Sequence, residues 1–332
     1  MKQPRKKSEQ GVALVTVLMI VAAMSAVAVT LSAAVMSATT RARTVDAASQ
    51  ADWLALASEE VGRALIEEMF TAGEGRLSVD MPGFAEPVRF PIEGGEITMR
   101  ASDGANCFNV NRLSITPARS DENAVGVSGP NAAEDFESLL KLAEIGDQNL
   151  TGLVYSAADW IDVDQSPGLN GAENAYYASS GLQYRTPGLP MIDASELRAV
   201  RYYTPDVMDA LEPLVCALPE SEEQTLNINT LTVAQAPLLS LAFSGALSVE
   251  AAGDLIFQRP VGGWPDVETF LTEPAIRQIS PDLRRSELLS VQTEYVRVQA
   301  AIDFANTRRT VEIMYRRNGA QRIETVWRER KG

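Results

Sequence analysis

The most constraining feature of the sequence is residues 12–40, a run of 29 positions without a single charged side chain. Its most apolar part, residues 12–35, exceeds the roughly 20 residues that a helix needs to cross a hydrocarbon core. Residues 1–11 carry four Lys or Arg side chains and one Glu. Because a basic flank stays in the cytoplasm, this order predicts a single-pass membrane protein with its C-terminal domain on the far side.

A cleavable secretory signal is one alternative, but its hydrophobic region would be only about 7–15 residues long. The run in this chain is about twice that length, and no Pro or Gly follows it until Gly62. The pattern predicts one continuous helix, apolar in its first half and amphipathic in its second half. On charge and length alone, a simple signal anchor stays open as an alternative.

The composition excludes several classes of function. With 45% hydrophobic residues the chain can bury a core. A net charge of −15 disfavours nucleic acid as a partner, because phosphate binding needs a basic surface. The chain has no histidine, which rules out His-based catalytic triads, zinc sites and haem ligation. Two cysteines can form one disulfide but not a four-thiolate zinc or iron–sulfur site. The composition favours binding or structure over catalysis.

Residues 9–29, EQGVALVTVLMIVAAMSAVAV, resemble the leader of type IV pilins and pseudopilins. The resemblance implies that a prepilin peptidase cuts after Gly11 and methylates the new amino terminus at Val12. Two positions depart from the usual pattern, since Val12 replaces Phe and Thr16 replaces a Glu that pairs with a neighbouring subunit's amine. An unpaired carboxylate in the membrane is costly. Thr16 is therefore expected in a subunit that has no other subunit ahead of it, at a filament tip.

Further motifs resemble the K-type minor pseudopilins of type II secretion, in the same order along the chain. The resemblance implies a subunit at the tip of the pseudopilus, anchored in the inner membrane with a periplasmic C-terminal domain and no enzymatic activity. It implies the I, J and H types, the prepilin peptidase and the inner-membrane assembly platform as partners. The motifs are GANCFNVNRLS around Cys107, residues 156–177, residues 184–200, LEPLVCALP around Cys216, and residues 258–271.

The pattern of the rest of the chain predicts an α+β fold. Alternating residues predict strands at 88–103, 294–304, 308–317 and 322–330, and Asn318-Gly319 is a strong hairpin signal. Apolar spacings of three and four predict helices around 134–145, 232–243, 248–259 and 266–271, so that the middle is expected to be mostly helical. The expected architecture is a long N-terminal helix and a pilin-like antiparallel sheet that carries a large helical insertion. The predicted limits are 1–11 for the leader, 12–69 for the helix with its membrane part at about 12–35, 70–104 and 286–332 for the scaffold, and 105–285 for the insertion.

A weak internal repeat places Asn109-Val-Asn111 and Asn227-Ile-Asn229 ahead of helical patterns. We interpret these asparagines as helix caps. The alternative is a pair of helix–hairpin–helix modules, which would make the protein a DNA-uptake receptor. Such modules need a Gly-x-Gly turn and basic surroundings, and neither is apparent in the sequence. A membrane-anchored periplasmic enzyme is the other alternative.

Cys107 and Cys216 are 109 positions apart. In a periplasmic domain oxidation is the default, so we expect them to form a disulfide. Closing a loop of roughly 100 residues can restrict the unfolded chain by up to about 4–5 kcal/mol. Two buried free thiols are the alternative.

Four carboxylates, Asp159, Asp162, Asp164 and Glu173, lie within fifteen residues. With Asp162 as position 1, Asp164 is position 3 and Glu173 is position 12, which resembles the ligand spacing of an EF-hand. Pro167 replaces the EF-hand glycine and no clear exiting helix is indicated, so the segment is not a true EF-hand. The K-type resemblance implies a structural Ca²⁺ held by these four residues. A solvated acidic loop and a carboxylate pair for hydrolysis are the alternatives.

Overall fold

A single long helix forms the N-terminal part of the protein. In the computed structural model, α1 spans Lys7–Ala72 and has 66 residues, which corresponds to about 100 Å at about 1.5 Å per residue. It covers the predicted helix at 12–69 and extends it at both ends. The structure describes residues 7–115, 132–145, 149–182, 184–219, 225–318 and 322–331.

The first half of α1 is apolar and exposed. The segment Gly11–Ala72 contains an 18-residue window of mean hydropathy 2.7, none of which is buried. The hydroxyl of Thr16 donates to the carbonyls of Val12 (3.1 Å) and Ala13 (2.9 Å), so its hydrogen bond is made within the helix, as a membrane requires. A long apolar N-terminal helix of this kind is consistent with a single-pass membrane anchor.

The strands on the two sides of the middle of the chain form one antiparallel sheet, and the predicted α+β fold is confirmed. The strands are β1 (Val88–Ile92), β2 (Gly95–Asp103), β3 (Phe108–Asn109), β4 (Val215–Cys216), β5 (Leu226–Asn227), β6 (Leu289–Ser290), β7 (Tyr295–Phe304), β8 (Thr307–Arg317) and β9 (Ile323–Lys331). The sheet has the order β1–β2–β7–β8–β9, so β2 and β7 are neighbours although the whole middle of the chain lies between them.

The hairpins of the sheet follow from their turn residues. Ala305 and Asn306 connect β7 to β8 with φ angles of 46° and 65°, the left-handed geometry that matches the twist of paired strands. β8 and β9 pair antiparallel as the Asn318-Gly319 signal predicts, although Gly319 itself lies outside the described residues.

The second half of α1 packs against this sheet. Gly62 allows the closest approach, because a Cβ at that position would lie 2.6 Å from the hydroxyl oxygen of Tyr315. That hydroxyl donates to the carbonyl of Glu59 at 2.6 Å. The apolar core beneath is contributed by both elements, and it includes Ile66, Met69, Met99, Val298 and Ile313.

The middle of the chain is an insertion of short helices between β2 and β7. Its core is separate from that of the sheet. The predicted helices around 134–145, 232–243, 248–259 and 266–271 are present, each shorter than its apolar pattern. The helices are α2 (Ala132–Leu142), α3 (Leu150–Ile161), α4 (Asn174–Ser179), α5 (Pro205–Leu211), α6 (Ala236–Ala242), α7 (Val249–Phe257), α8 (Val267–Phe270) and α9 (Pro274–Arg277).

The insertion consists of two units, and a parallel pair of two-residue strands closes each of them. β3 pairs with β4 at the ends of the first unit, and β5 pairs with β6 at the ends of the second unit. Asn109 and Asn227 occupy the same position in their respective pairs. The internal repeat seen in the sequence therefore corresponds to a repeated structural element.

The first asparagine of each pair caps the turn that follows it, as the sequence predicts: Asn109 accepts from the N–H of Asn111 (3.2 Å) and Asn227 from that of Asn229 (3.0 Å). The second asparagine of each pair instead binds the backbone of a distant segment, so for Asn111 and Asn229 the interpretation as caps is wrong. The side chain of Asn111 accepts from the N–H of Met191 and donates to its carbonyl (2.8 and 2.9 Å). Asn229 forms the same two bonds with Trp264, at 2.8 Å each. All four asparagines are buried. Because these amides are occupied within the protein, the repeat is structural, and it gives no support to a DNA-binding module.

Candidate metal centre

The acidic segment is a loop of twelve residues between two helices. α3 ends at Ile161, immediately before Asp162, and α4 begins at Asn174, immediately after Glu173. The expectation that no helix leaves the loop is therefore wrong. α4 has only six residues, and Glu173 at its N-cap position makes no side-chain capping bond. Such a short helix gives little periodic signal in a sequence, which is why the pattern did not reveal it.

Asp159 lies in the last turn of α3, and the loop folds over its carboxylate. The backbone N–H of Gly168 donates to both carboxylate oxygens (3.0 and 3.2 Å), and the N–H of Ala172 donates to Oδ2 at 2.7 Å. The approach is close at Gly171, where a Cβ would lie 2.0 Å from Oδ2 of Asp159. Only glycine fits at this position. Asp159 is 2% exposed.

Glu173 brings a second buried carboxylate to the same place. Its Oε2 accepts from the hydroxyl of Thr186 at 3.3 Å. Its Oε1 is buried and has no hydrogen-bond partner, although the residue is only 3% exposed. A buried carboxylate oxygen without a donor is costly. This oxygen is therefore free to bind a cation.

Three of the four predicted ligands form one group. Asp159, Asp162 and Glu173 each offer an oxygen, and these oxygens lie within 4.8 Å of one another. Oδ1 of Asp162 is also buried without a hydrogen-bond partner. Asp164 lies outside the group, is exposed, and accepts from the N–H of Ser166 at 2.7 Å.

The electrostatics of the group show an uncompensated negative charge. Burial, followed by the charges of Asp159 and Asp162, raises the pKa of Glu173 to about 7. Burial, followed by the charges of Asp164 and Asp159, raises the pKa of Asp162 to about 6. Burial also raises the pKa of Asp159, although two backbone N–H groups oppose the effect. Each carboxylate thus resists ionisation because it is buried and lies beside other carboxylates.

The residues present fit a hard cation. No Lys or Arg pairs with these three carboxylates in the part of the chain that the structure describes. The side-chain donors are oxygens only, which suits Ca²⁺ or Mg²⁺ better than zinc. A bound cation would satisfy the free oxygens of Glu173 and Asp162 together. The group could therefore hold a metal ion.

The predicted disulfide between Cys107 and Cys216 is present, with the two Cα atoms 5.7 Å apart. It lies beside the pair of β3 and β4, where Asn109 is opposite Cys216. The bond therefore closes the first unit at the same end as the parallel pair of strands.

Two family models and several known proteins match the chain. Residues 106–220 match one family model described as "Type II secretion system (T2SS), protein K", and residues 226–292 match a second model with the same description. Type II secretion system protein K of Pectobacterium carotovorum subsp. carotovorum is 33% identical over 299 residues, covering 90% of this chain and 89% of that protein. The chain belongs to the type II secretion system protein K family.

Other members of the protein K family support the same assignment. The protein from Klebsiella pneumoniae is 34% identical over 274 residues and covers 81% of each chain. Among solved structures, the chain is similar to one in the GspK–GspI–GspJ complex from the enterotoxigenic Escherichia coli type 2 secretion system. That match has a TM-score of 0.74 at 27% identity and covers 88% of this chain and 99% of the other. The two family models match residues that contain the two structural units.

The predicted processing site, Gly11 and Val12, lies within α1. A Cβ on Gly11 would meet no atom within 4 Å, so the fold gives no packing reason for glycine. Glycine inside a helix costs about 1 kcal/mol relative to alanine. Packing therefore does not explain this glycine, and its recognition by a peptidase stays a prediction.

Two residues that support the carboxylate group were not identified from the sequence as parts of it. Gly171 is required by its contact with Asp159, and Thr186 donates to Glu173 from a segment thirteen positions away. Glycine inside an acidic loop was the available signal for the first. A threonine in an irregular segment gives no local signal at all.

Proposed function

We propose that this chain is the minor pseudopilin at the tip of a type II secretion pseudopilus. It would start the filament with the I and J types, with the H type as a further partner, for export of folded proteins from the periplasm. The observation that carries the proposal is the insertion between β2 and β7, which adds two units to a pilin-like helix and sheet. An insertion of this size is difficult to accommodate between neighbouring subunits along a filament, whereas the end of the filament leaves room for it.

The membrane part of the proposal rests on α1 and on the charge before it. The amino terminus would be cytoplasmic and the sheet and insertion periplasmic, which agrees with an oxidised cysteine pair. Because Thr16 makes its hydrogen bonds within its own helix, it needs no amine from a subunit ahead. The prepilin peptidase and the inner-membrane assembly platform would act on this segment.

We also propose that Asp159, Asp162 and Glu173 hold a structural Ca²⁺, with Asp164 next to the site. The support is the unpartnered, buried oxygen of Glu173 among three carboxylates. When bound, the ion would supply positive charge that ties α3 to α4. The same carboxylates are not proposed to catalyse hydrolysis.

The tip position can be tested in a secretion-competent host that lacks its own protein K. This chain is expected to restore secretion and to be purified from the membrane together with the I and J pseudopilins. Gold labelling of the pseudopili should mark one end only. Labels spaced along the shaft would contradict the proposal.

Processing is tested by the mass of the chain extracted from membranes. The wild-type chain should lose residues 1–11 and carry a methyl group on Val12. Gly11→Val should keep the leader, because a β-branched side chain should not fit where the peptidase accepts glycine. Ala22→Val places the same side chain elsewhere in α1 and should still be processed. A processed Gly11→Val chain would refute the assignment of this leader.

A further inference from the structure

The peptide unit that joins Gly171 to Ala172 is held at both ends. Its N–H, from Ala172, donates to Oδ2 of Asp159 at 2.7 Å. Its carbonyl, from Gly171, accepts from Nη1 of Arg201 at 3.2 Å. A single planar peptide thus connects the guanidinium of Arg201 to a carboxylate of the metal centre. Hydrogen bonds in such a chain polarise and strengthen one another.

The guanidinium of Arg201 is itself fixed in place. It lies between two aromatic rings, 4.1 Å from the ring centre of Tyr176 and 4.4 Å from that of Tyr202. The backbone N–H of Arg201 also donates to the hydroxyl of the buried Tyr177 at 3.3 Å. Tyr176 and Tyr177 belong to α4, the helix that begins after Glu173. Arg201 therefore touches both the loop and the helix that leaves it.

The charge of Arg201 is not used to neutralise the centre. Within the described residues it forms no ion pair with Asp159, Asp162 or Glu173. An arginine that paired with these carboxylates would compete with a cation. An arginine bonded to the outer side of the peptide orients the carboxylate and leaves its charge for the metal.

We propose that Arg201 is a positioning residue for the cation site, an inference that rests on the calcium site proposed above. Without its guanidinium, the carbonyl of Gly171 loses its donor and the peptide can rotate. The N–H of Ala172 then no longer fixes the orientation of Asp159. Groups that hydrogen-bond directly to a metal ligand, as the N–H of Ala172 does, typically contribute about 10–100-fold to metal affinity. Arg201 holds that group in place.

The test measures calcium binding by the full-length chain in detergent, using equilibrium dialysis against radioactive calcium. Arg201→Met keeps the apolar stem and removes the donor, and it should raise the Kd for Ca²⁺ about 10–100-fold. Arg201→Lys keeps a charged donor but not the planar stacking, so its Kd should lie between those of the wild type and Arg201→Met. A smaller rise in Kd for Arg201→Lys than for Arg201→Met would show that the hydrogen bond donated to the carbonyl of Gly171 supports calcium binding.

Two control variants separate positioning from general stability. Arg198→Met removes an exposed arginine three residues away and should leave the Kd unchanged. Tyr184→Phe removes a hydroxyl that donates to the carbonyl of Ala199 at 2.9 Å. It should lower the melting temperature in chelator without weakening calcium binding. If Arg201 had only a structural role, Arg201→Met would lower the melting temperature in chelator and leave the Kd for Ca²⁺ unchanged, as expected for Tyr184→Phe.

The outcomes distinguish this inference from the one on which it rests. Absence of saturable binding by the wild-type chain would remove the calcium site itself, and the role of Arg201 with it. Binding by the wild type with an equal Kd in Arg201→Met would overturn the role of Arg201 and leave the site intact. Should Arg201→Met fail to fold, Arg201→Lys decides, because a wild-type Kd in that variant overturns the inference and a raised Kd supports it.

Discussion

The first and second units of the insertion use the same pair of asparagines in different surroundings. In both units the second asparagine of the pair binds the N–H and the carbonyl of one distant residue, Met191 or Trp264. In both, an aspartate two residues later caps a helical turn: Asp193 accepts from Ser195 and Asp266 from Thr269. The equivalence therefore extends from the asparagines to the segments that they hold.

The two units differ in the number of residues between the asparagine and the residue that it binds. Asn111 and Met191 are 80 positions apart, whereas Asn229 and Trp264 are 35 apart. Closing the longer segment costs more conformational entropy. The disulfide and the carboxylate group both belong to the first unit. The short segment is thus closed by its asparagine contact, whereas the long segment lies in the unit that the disulfide closes as well.

Removing the disulfide should have the largest effect and should be confined to the first unit. Cys107→Ser should lower the free energy of unfolding by up to about 4–5 kcal/mol, since it releases a long loop in the unfolded chain. Limited proteolysis with mass mapping should find the earliest cuts between residues 132 and 219, with the second unit still resistant. If both units stayed equally resistant to proteolysis, or if the melting temperature did not change, the disulfide would not be a specific stabiliser of the first unit.

Removing the asparagine contacts should affect the two units unequally. Asn111→Ala loses two bonds to Met191 and a third to the carbonyl of Leu218, about 3 kcal/mol at about 1 kcal/mol each. Asn229→Ala loses the two bonds to Trp264, about 2 kcal/mol. Chemical denaturation of both variants measures the difference, with the exposed Gln278→Ala as control. A larger loss of stability in Asn229→Ala than in Asn111→Ala would show that the asparagine contact of the second unit is the stronger one.

Calcium should stabilise the first unit only. Binding to the folded state adds about 2.7 kcal/mol at a hundredfold excess over the Kd. Because such sites can bind at about 10⁻⁴–10⁻³ M, melting curves are compared in millimolar calcium and in chelator. Glu173→Gln and Asp162→Asn should remove most of the calcium-dependent shift, and Asp209→Asn, an exposed carboxylate in the same unit, should not. Hydrogen exchange should slow in residues 159–188 and stay unchanged in the second unit.

The pH dependence of stability without metal gives a further test. The pKa of Glu173 is raised in the folded protein from 4.5 to about 7, so between these values the folded state binds more protons than the unfolded state. Its stability in chelator should therefore fall as the pH rises from about 4.5 to 7. Glu173→Gln should flatten the slope between about pH 6 and 7, whereas Asp162, whose pKa is raised to about 6, still contributes below that range. Saturating calcium should flatten the slope in the wild type. An unchanged slope above pH 6 in Glu173→Gln would show that another group causes it.

Local patterns predicted the parts of the fold that depend on local residues. The uncharged run predicted α1, alternation predicted the sheet strands, and Asn318-Gly319 predicted the pairing of β8 with β9. The cysteine pair and three of the four carboxylates also came together as expected. These features depend on periodicity, on turn chemistry or on a family pattern, all of which the sequence displays directly.

The remaining features depend on partners far away along the chain. Asn111 resembles a cap in its local sequence, and only the fold brings Met191 to it. Arg201 carries no motif, and its role becomes visible only when Gly171 and Tyr176 lie beside it. Asp164 fits the spacing of a ligand, but its own turn with Ser166 directs it away from the group.

The insertion is joined to the sheet at a single place, because the strands before and after it, β2 and β7, are neighbours. The N–H of Gly104 donates to the carbonyl of Tyr295 at 2.9 Å, directly after the register pair of Asp103 and Val296. The chain thus leaves the sheet and returns to it at adjacent residues. An insertion joined in this way can be lengthened, shortened or removed without changing any pairing in the sheet. Proteins that share this helix and sheet can therefore differ widely in what they carry between β2 and β7.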